Sequence, residues 1–119
     1  MRYETIITRL GDMANEVMAS DMLIVFNENA PEELAEVSVL HTASKLRRDV
    51  KPGDVVLLGR REYAVTAVGS EANNTLRKMG HCTFKFQGAP DAALPGEIQL
   101  QGSGLPRVNP GDPFEVHFK

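Results

Sequence analysis

Three times this chain places Pro-Gly and an acid directly in front of a run with strand character. Lys51-Pro52-Gly53-Asp54 precedes Val55-Val56-Leu57-Leu58, Leu94-Pro95-Gly96-Glu97 precedes Ile98-Gln99-Leu100-Gln101, and Asn109-Pro110-Gly111-Asp112 precedes Phe114-Glu115-Val116-His117-Phe118. Proline presets φ and glycine accepts positive φ, so each pair suits the central positions of a type II turn. Three such turns, each feeding a strand, describe a strongly β chain with short connections.

The remaining stretches agree. Tyr3 to Leu10 is β-rich and ends at Gly11, and Met22-Leu23-Ile24-Val25-Phe26 is a continuous apolar run of strand length. That run reads as buried on both faces. Asn27-Glu28-Asn29-Ala30-Pro31 breaks it, and Pro31 with Glu32 and Glu33 suits the start of a brief helix. Residues 12–20 have helical spacing in Met13, Val17 and Met18 and fit either a short helix or an ordered loop. Val55 to Leu58 and Glu62 to Val68 form a hairpin about Gly59-Arg60-Arg61. Ser70 is placed to cap a helix from Glu71 to Met79, and Gly80 fits the left-handed position just past its end. Cys82, Phe84 and Phe86 then alternate with Thr83 and Lys85, so one strand face is buried and the other exposed. The expectation is a mainly β, single-domain, barrel-like fold over residues 1–119, with six or seven strands and one or two short helices. Closure removes exposed strand edges, which favours a barrel.

Composition narrows the functional classes. At 42% hydrophobic residues the chain has enough apolar matter for a core, and 119 residues bury roughly two thirds of their unfolded surface. The single cysteine, Cys82, excludes an internal disulfide framework and fits a reducing compartment. The N-terminus lacks the apolar core of a signal peptide, and no apolar run approaches the ~20 residues of a spanning helix. A soluble, cytoplasmic protein is expected. The net charge of −3 is uneven: residues 1–36 set Arg2 and Arg9 against eight acids, whereas six bases and two acids lie between Lys45 and Arg61. An acidic chain is a poor general nucleic-acid binder, because phosphate neutralisation supplies most of that affinity. The cluster Lys45, Arg47, Arg48 and Lys51 suits one local anion or a solvated loop.

Chemistry has few candidate residues. There is no C-x-x-C, no i,i+3 or i,i+4 histidine pair, no G-x-S-x-G and no phosphate-binding loop, so neither a metal nor a cofactor is expected. Cys82 reads as an inward, inert thiol. Of the three histidines, His117 reads as a surface residue and His81 as exposed or at a rim. His41 stands out. Val37, Val39 and His41 share a strand face by parity, so an apolar run delivers an imidazole to a strand end, held by neighbours yet open to solvent. A neutral imidazole can attack a phosphoryl group without a base, provided its other nitrogen is fixed by a partner. Thr42 and Ser44 add hydroxyls and Lys45 a cation that would hold phosphoryl oxygens. The competing reading is a strand-end histidine in a non-catalytic β-barrel binding or regulatory module.

Val65-Thr66-Ala67-Val68-Gly69-Ser70, Leu76 and Gly80-His81-Cys82-Thr83-Phe84-Lys85-Phe86 together resemble the enzyme IIA component of the glucitol/sorbitol phosphotransferase system. Ile7-Thr8-Arg9-Leu10-Gly11, the Met22 to Phe26 run, Gly88 and Pro95-Gly96 match the same family, and the similarity covers nearly the whole chain. The resemblance implies a mostly β phosphocarrier with His41 in the place of the phosphorylated histidine. It implies phosphate arriving from the carrier protein HPr and leaving to a cysteine of the cognate enzyme IIB, for a hexitol that enters through the membrane component IIC. Enzyme IIA does not touch the sugar in this scheme. Relatives can carry a second histidine two residues after the first; here that position is Ala43, which leaves His81 as the candidate helper. HPr-type donors are basic near their active histidine, so the acidic first 36 residues suit docking.

Overall fold

The computed structural model describes residues 1–119. Eight strands and three short helices follow one another as β1 (Arg2–Leu10), α1 (Ala14–Met18), β2 (Met22–Asn27), α2 (Glu32–Ala35), β3 (Val39–His41), β4 (Val55–Leu58), β5 (Arg61–Val68), α3 (Ala72–Met79), β6 (Cys82–Lys85), β7 (Glu97–Gln101) and β8 (Pro113–His117). The strands close into a barrel in the order β1-β3-β2-β6-β7-β5-β4-β8. No strand is left at an edge, as the sequence pattern anticipated. No helix is long and apolar enough to cross a membrane.

Alternation sets what points inward. On β1, Tyr3, Thr5 and Ile7 are buried between exposed Arg2, Glu4 and Ile6. The interior they enter holds Leu23, Val25, Val39, Val56, Leu58, Tyr63, Val65, Phe84, Ile98, Leu100, Phe114 and Val116. Each such side chain contributes roughly 1.5–3 kcal/mol on leaving water. Phe114 is central: its ring meets Tyr3, Phe84 and His41 edge-on, with centroids 5.8, 5.7 and 5.0 Å away. A separate cluster of Phe26, Ala35 and Leu40 packs outside the wall under α2.

Two pairings are parallel, β2 with β3 and β6 with β7. The first has a short crossover containing α2, and its register sets Asn27 beside His41. β3 is only three residues long, so Val37, which is half-buried, precedes the strand. Residues 42–54 contain no helix or strand, but Leu46 and Val50 are buried in the main core. This segment is stitched to α3. Asn73 accepts from the Val50 N–H at 2.7 Å and donates back to the Val50 carbonyl at 3.1 Å. Arg77 pairs with Asp49 at 2.7 Å and donates to the Leu46 carbonyl.

Two turn expectations need revision. Gly53 and Gly111 adopt φ of 96° and 97° as the type II reading requires, but Gly96 has no positive φ. There the Glu97 N–H bonds the Leu94 carbonyl, and the Glu97 carboxylate accepts the Ala93 and Leu94 N–H groups, which closes the turn without a left-handed residue. Ser70 does not cap α3. The residue before the helix is Glu71, with no side-chain cap, and its N–H is taken instead by the Pro95 carbonyl at 2.9 Å. Gly80 does end α3 in the left-handed conformation, at φ 62°.

Candidate functional site

His41 is the last residue of β3, and its side chain points into the barrel like that of Val39 two residues earlier. Its exposure is 0%, which corrects the expectation of a ring open to solvent. The reason is closure. Phe114 lies against one side, and the turn after α3 folds over the strand end. Both ring nitrogens face backbone carbonyls, Nδ1 at 2.8 Å from Thr42 O and Nε2 at 2.8 Å from Gly80 O.

This pair of contacts has a definite electrostatic character. An imidazolium would donate to both carbonyls, whereas a neutral ring has one N–H for two acceptors. Burial opposes the charge. Desolvation holds the His41 pKa below its ordinary value, outweighing the two carbonyls and the weaker attraction of Glu28. At neutral pH the ring is therefore uncharged, and one nitrogen turns its lone pair toward a carbonyl oxygen. The two sides differ in how firmly they are held. Thr42 is tied into the wall: its N–H bonds the Ile6 carbonyl at 2.9 Å, and its Oγ1 accepts the Ile6 N–H at 3.0 Å. Gly80 sits in a one-residue left-handed turn between α3 and β6. The one N–H of the neutral ring thus has two carbonyl acceptors at the same distance, 2.8 Å.

Gly80 cannot be another residue without rearrangement. A Cβ there would lie 2.1 Å from Asn27 Oδ1, 2.7 Å from Asn27 Cγ and 2.7 Å from His41 Cε1. Asn27, Gly80 and His41 thus converge on one point. In the sequence Gly80 is a helix terminator and Asn27 a strand breaker. Only the β2–β3 register, absent from any local pattern, brings them to the ring.

The other anticipated residues lie elsewhere. The Thr42 hydroxyl is engaged by β1, while Ser44 and Lys45 are exposed, and none of the three is a hydrogen-bond partner of the ring. The His81 ring stacks on Phe26 with centroids 4.6 Å apart, and its Nδ1 lies 3.1 Å from the Val25 carbonyl. Phe26 belongs to the cluster outside the wall, so the two imidazoles occupy opposite faces of it; the contact to His41 comes from the neighbouring Gly80. His117 is half-buried and bonds Glu115 at 2.8 Å. Cys82 is buried, and desolvation raises its pKa far above the thiol range, as expected of an inert core thiol. Of the cationic cluster, Arg48 lies over the Phe118 ring and donates to the Lys119 carbonyl, while Lys45, Arg47 and Lys51 are exposed.

The closed barrel has a solved counterpart. A crystal structure described as a phosphotransferase-system IIA component from Enterococcus faecalis V583 superposes with a TM-score of 0.82, covering 97% of this chain and 98% of that one at 24% identity. That likeness defines the fold. Sequence comparison defines the family: residues 2–115 match the family model described as the glucitol/sorbitol-specific IIA component of the phosphotransferase system. Glucitol/sorbitol-specific IIA components from Shigella flexneri and Escherichia coli (strain K12) are each 39% identical over 109 residues, spanning 92% of this chain and 89% of theirs. The chain belongs to this family, and is a phosphocarrier component of the sugar phosphotransferase system.

Proposed function

We propose that the phosphoryl group is carried on His41 Nε2. It is accepted from the phosphorylated carrier protein HPr and passed to a cysteine of the glucitol/sorbitol enzyme IIB. The setting is cytoplasmic, and residues 1–119 act as one such domain. The observation that carries this reading is the asymmetric hold on the His41 ring. Thr42 O accepts from Nδ1 and is itself fixed by β1, so the tautomer with a lone pair on Nε2 is prepared in advance. Burial keeps the imidazole neutral and hence nucleophilic.

His81 takes a supporting role in this reading. Its ring is anchored on Phe26 and the Val25 carbonyl, and its carbonyl accepts from the Thr75 hydroxyl at 2.6 Å, so it fixes the far end of the turn at Gly80. Ser44 and Lys45 belong to the exposed rim that meets the partner, and Thr42 acts through its carbonyl. The exposed carboxylates of Glu28, Glu32, Glu33 and Glu36 flank β3 and suit a basic donor. Such attraction is screened over ~10 Å at 0.1 M salt, so acceptance should slow as salt rises.

The test is incubation with phosphoenolpyruvate, enzyme I and HPr, followed by mapping of the acid-labile phosphate. Label on His41, lost in His41→Ala, is the expected result. Normal uptake by His41→Ala would overturn the assignment. A purely binding module would take up no phosphate from HPr.

A further inference from the structure

His41 has no exposed surface, and its Nε2 is already 2.8 Å from an oxygen. Phosphorus must occupy the place of that oxygen for an N–P bond to form, so the Gly80 carbonyl has to leave. On the opposite side Thr42 is a β-branched residue bonded to Ile6 through both its N–H and its hydroxyl, whereas the Gly80 carbonyl belongs to a glycine, so the Gly80 side is the one taken to yield. The flanks of this turn are held, by the Gly80 N–H on the Leu76 carbonyl at 3.0 Å and by the His81 ring and carbonyl. The Gly80–His81 amide plane between them has one bond of its own besides the His41 contact, from the His81 N–H to the Thr75 carbonyl at 3.2 Å. Glycine lets that peptide turn at little steric cost.

Turning it away exposes a side chain that is otherwise without a task. Asn27 is in register with His41 on the adjacent parallel strand, so the two side chains leave the same face of the wall. Its carboxamide adjoins the space between Gly80 and the His41 ring through Oδ1 and Cγ, so a half-turn about the terminal side-chain torsion brings the Nδ2 donors to that space. The side-chain hydrogen bonds of this corner join His41 to Thr42 and Gly80, and His81 to Val25; the Asn27 amide takes part in none of them. The charges around it are unhelpful to a phosphoryl group. Glu28 is the adjacent acid, and the nearest cation along the chain from His41, Lys45, is exposed. An uncharged carboxamide with two N–H donors is the group this corner offers to a phosphoryl oxygen.

We propose that Asn27 is a catalytic residue of phosphoryl transfer, donating to the phosphoryl oxygens after the Gly80–His81 peptide has swung off His41 Nε2. This rests on the reading of His41 as the phosphate carrier. The step balances without a base. The N–P bond of the donor phosphohistidine breaks with its electron pair returning to the donor nitrogen. The Nε2 lone pair of His41 forms the new N–P bond, and the proton stays on Nδ1, which donates it to the Thr42 carbonyl. On leaving, the phosphoryl passes to the acceptor thiolate, and the electron pair returns to Nε2.

Three variants of the full chain, assayed by rapid quench with phosphorylated HPr, test the proposal. Asn27→Ala should slow acceptance roughly tenfold to a hundredfold, the usual loss when one donor to a developing anion is removed. Asn27→Asp keeps the shape but presents a carboxylate, so it should be slower than Asn27→Ala. It should also shift the phosphorus resonance of phosphorylated His41 by raising the phosphoryl pKa. A packing role predicts the reverse order, since the isosteric change would be the milder one. That order, or unchanged rates in both variants, would overturn the role of Asn27. His41→Ala keeps the two ideas apart: if it accepts phosphate normally the carrier reading fails, and if it is inactive while both Asn27 variants are normal only the present inference fails.

Discussion

The two ends of strand β5 present opposite solutions to handling an anion. At the Arg61 end an open cleft of about 430 Å³ is lined by Arg60, Arg61, Arg107, Asn109 and Asp112. At the other end, where β5 leads through α3 to Gly80, His41 is sealed, and neither it nor Asn27, Gly80 or His81 lines any cavity. The arginine end has charge and room but no nucleophile. The histidine end has the imidazole proposed as the nucleophile, with burial opposing its charge, under a cap of one peptide. For a phosphocarrier the second arrangement is the useful one. An exposed histidine near its ordinary pKa of about 6.5 is partly protonated at neutral pH and loses its lone pair. Burial favours the neutral ring of His41, and on the proposed reading the Gly80 carbonyl covers it until a donor arrives.

That contrast can be broken most sharply at Gly80. Gly80→Ala forces a side chain into a φ of 62° and into Asn27 and His41. It should cost about 1–3 kcal/mol in urea denaturation and slow phosphate acceptance at least tenfold. A fully stable, fully active Gly80→Ala protein would mean that the capped geometry is unimportant. A second effect is read by acidification. The folded pKa of His41 lies below its unfolded value, so the unfolded chain binds the proton first, and stability should fall as pH drops through about 6.5. It should stop falling once the folded ring is protonated too. The slope in that window should reach up to about 1.4 kcal/mol per pH unit and flatten in His41→Gln, and an unaltered slope in the variant would discount the buried neutral ring. His81→Gln should fold with little change in melting temperature and slow transfer by roughly a few-fold, the size of a lost neutral hydrogen bond. Unchanged kinetics in both acceptance and onward transfer would make His81 purely structural. Smallest of all, Arg60→Ala and Arg107→Ala should leave acceptance within about twofold, as surface changes away from the chemistry do. A large loss there would erase the distinction between the two ends.

How much of this was legible in the sequence follows from range. Alternation along Tyr3, Thr5 and Ile7, and along Cys82 and Phe84, fixes the inward faces locally, and the Pro52-Gly53 and Pro110-Gly111 turns can be read residue by residue. The inward face of His41 was legible from Val39, and the left-handed Gly80 from its place after Met79. The sealing of His41 was not, because it depends on the carbonyl of a residue 39 positions away being brought over the ring by the β3-β2-β6 pairing. The fate of the Thr42 hydroxyl was hidden for the same reason: Ile6, 36 positions earlier, engages it. Ser70 lost its capping role to a carbonyl from Pro95, another partner set by closure and invisible to a local rule. The family, by contrast, was recognisable from dispersed motifs, since those record the whole chain at once.

The double bond between Asn73 and Val50, together with Arg77 on Asp49 and Leu46, has a mechanical consequence. The helix that delivers Gly80 and the strand exit that follows His41 are riveted into one plate, so neither can swing out without dragging the other. In the proposed transfer, uncovering His41 is then the rotation of a single amide plane at the rim of that plate. This is a movement of loop scale, on the nanosecond-to-microsecond range. A carrier built this way has its gate and its frame in adjoining residues, and only the gate needs to move.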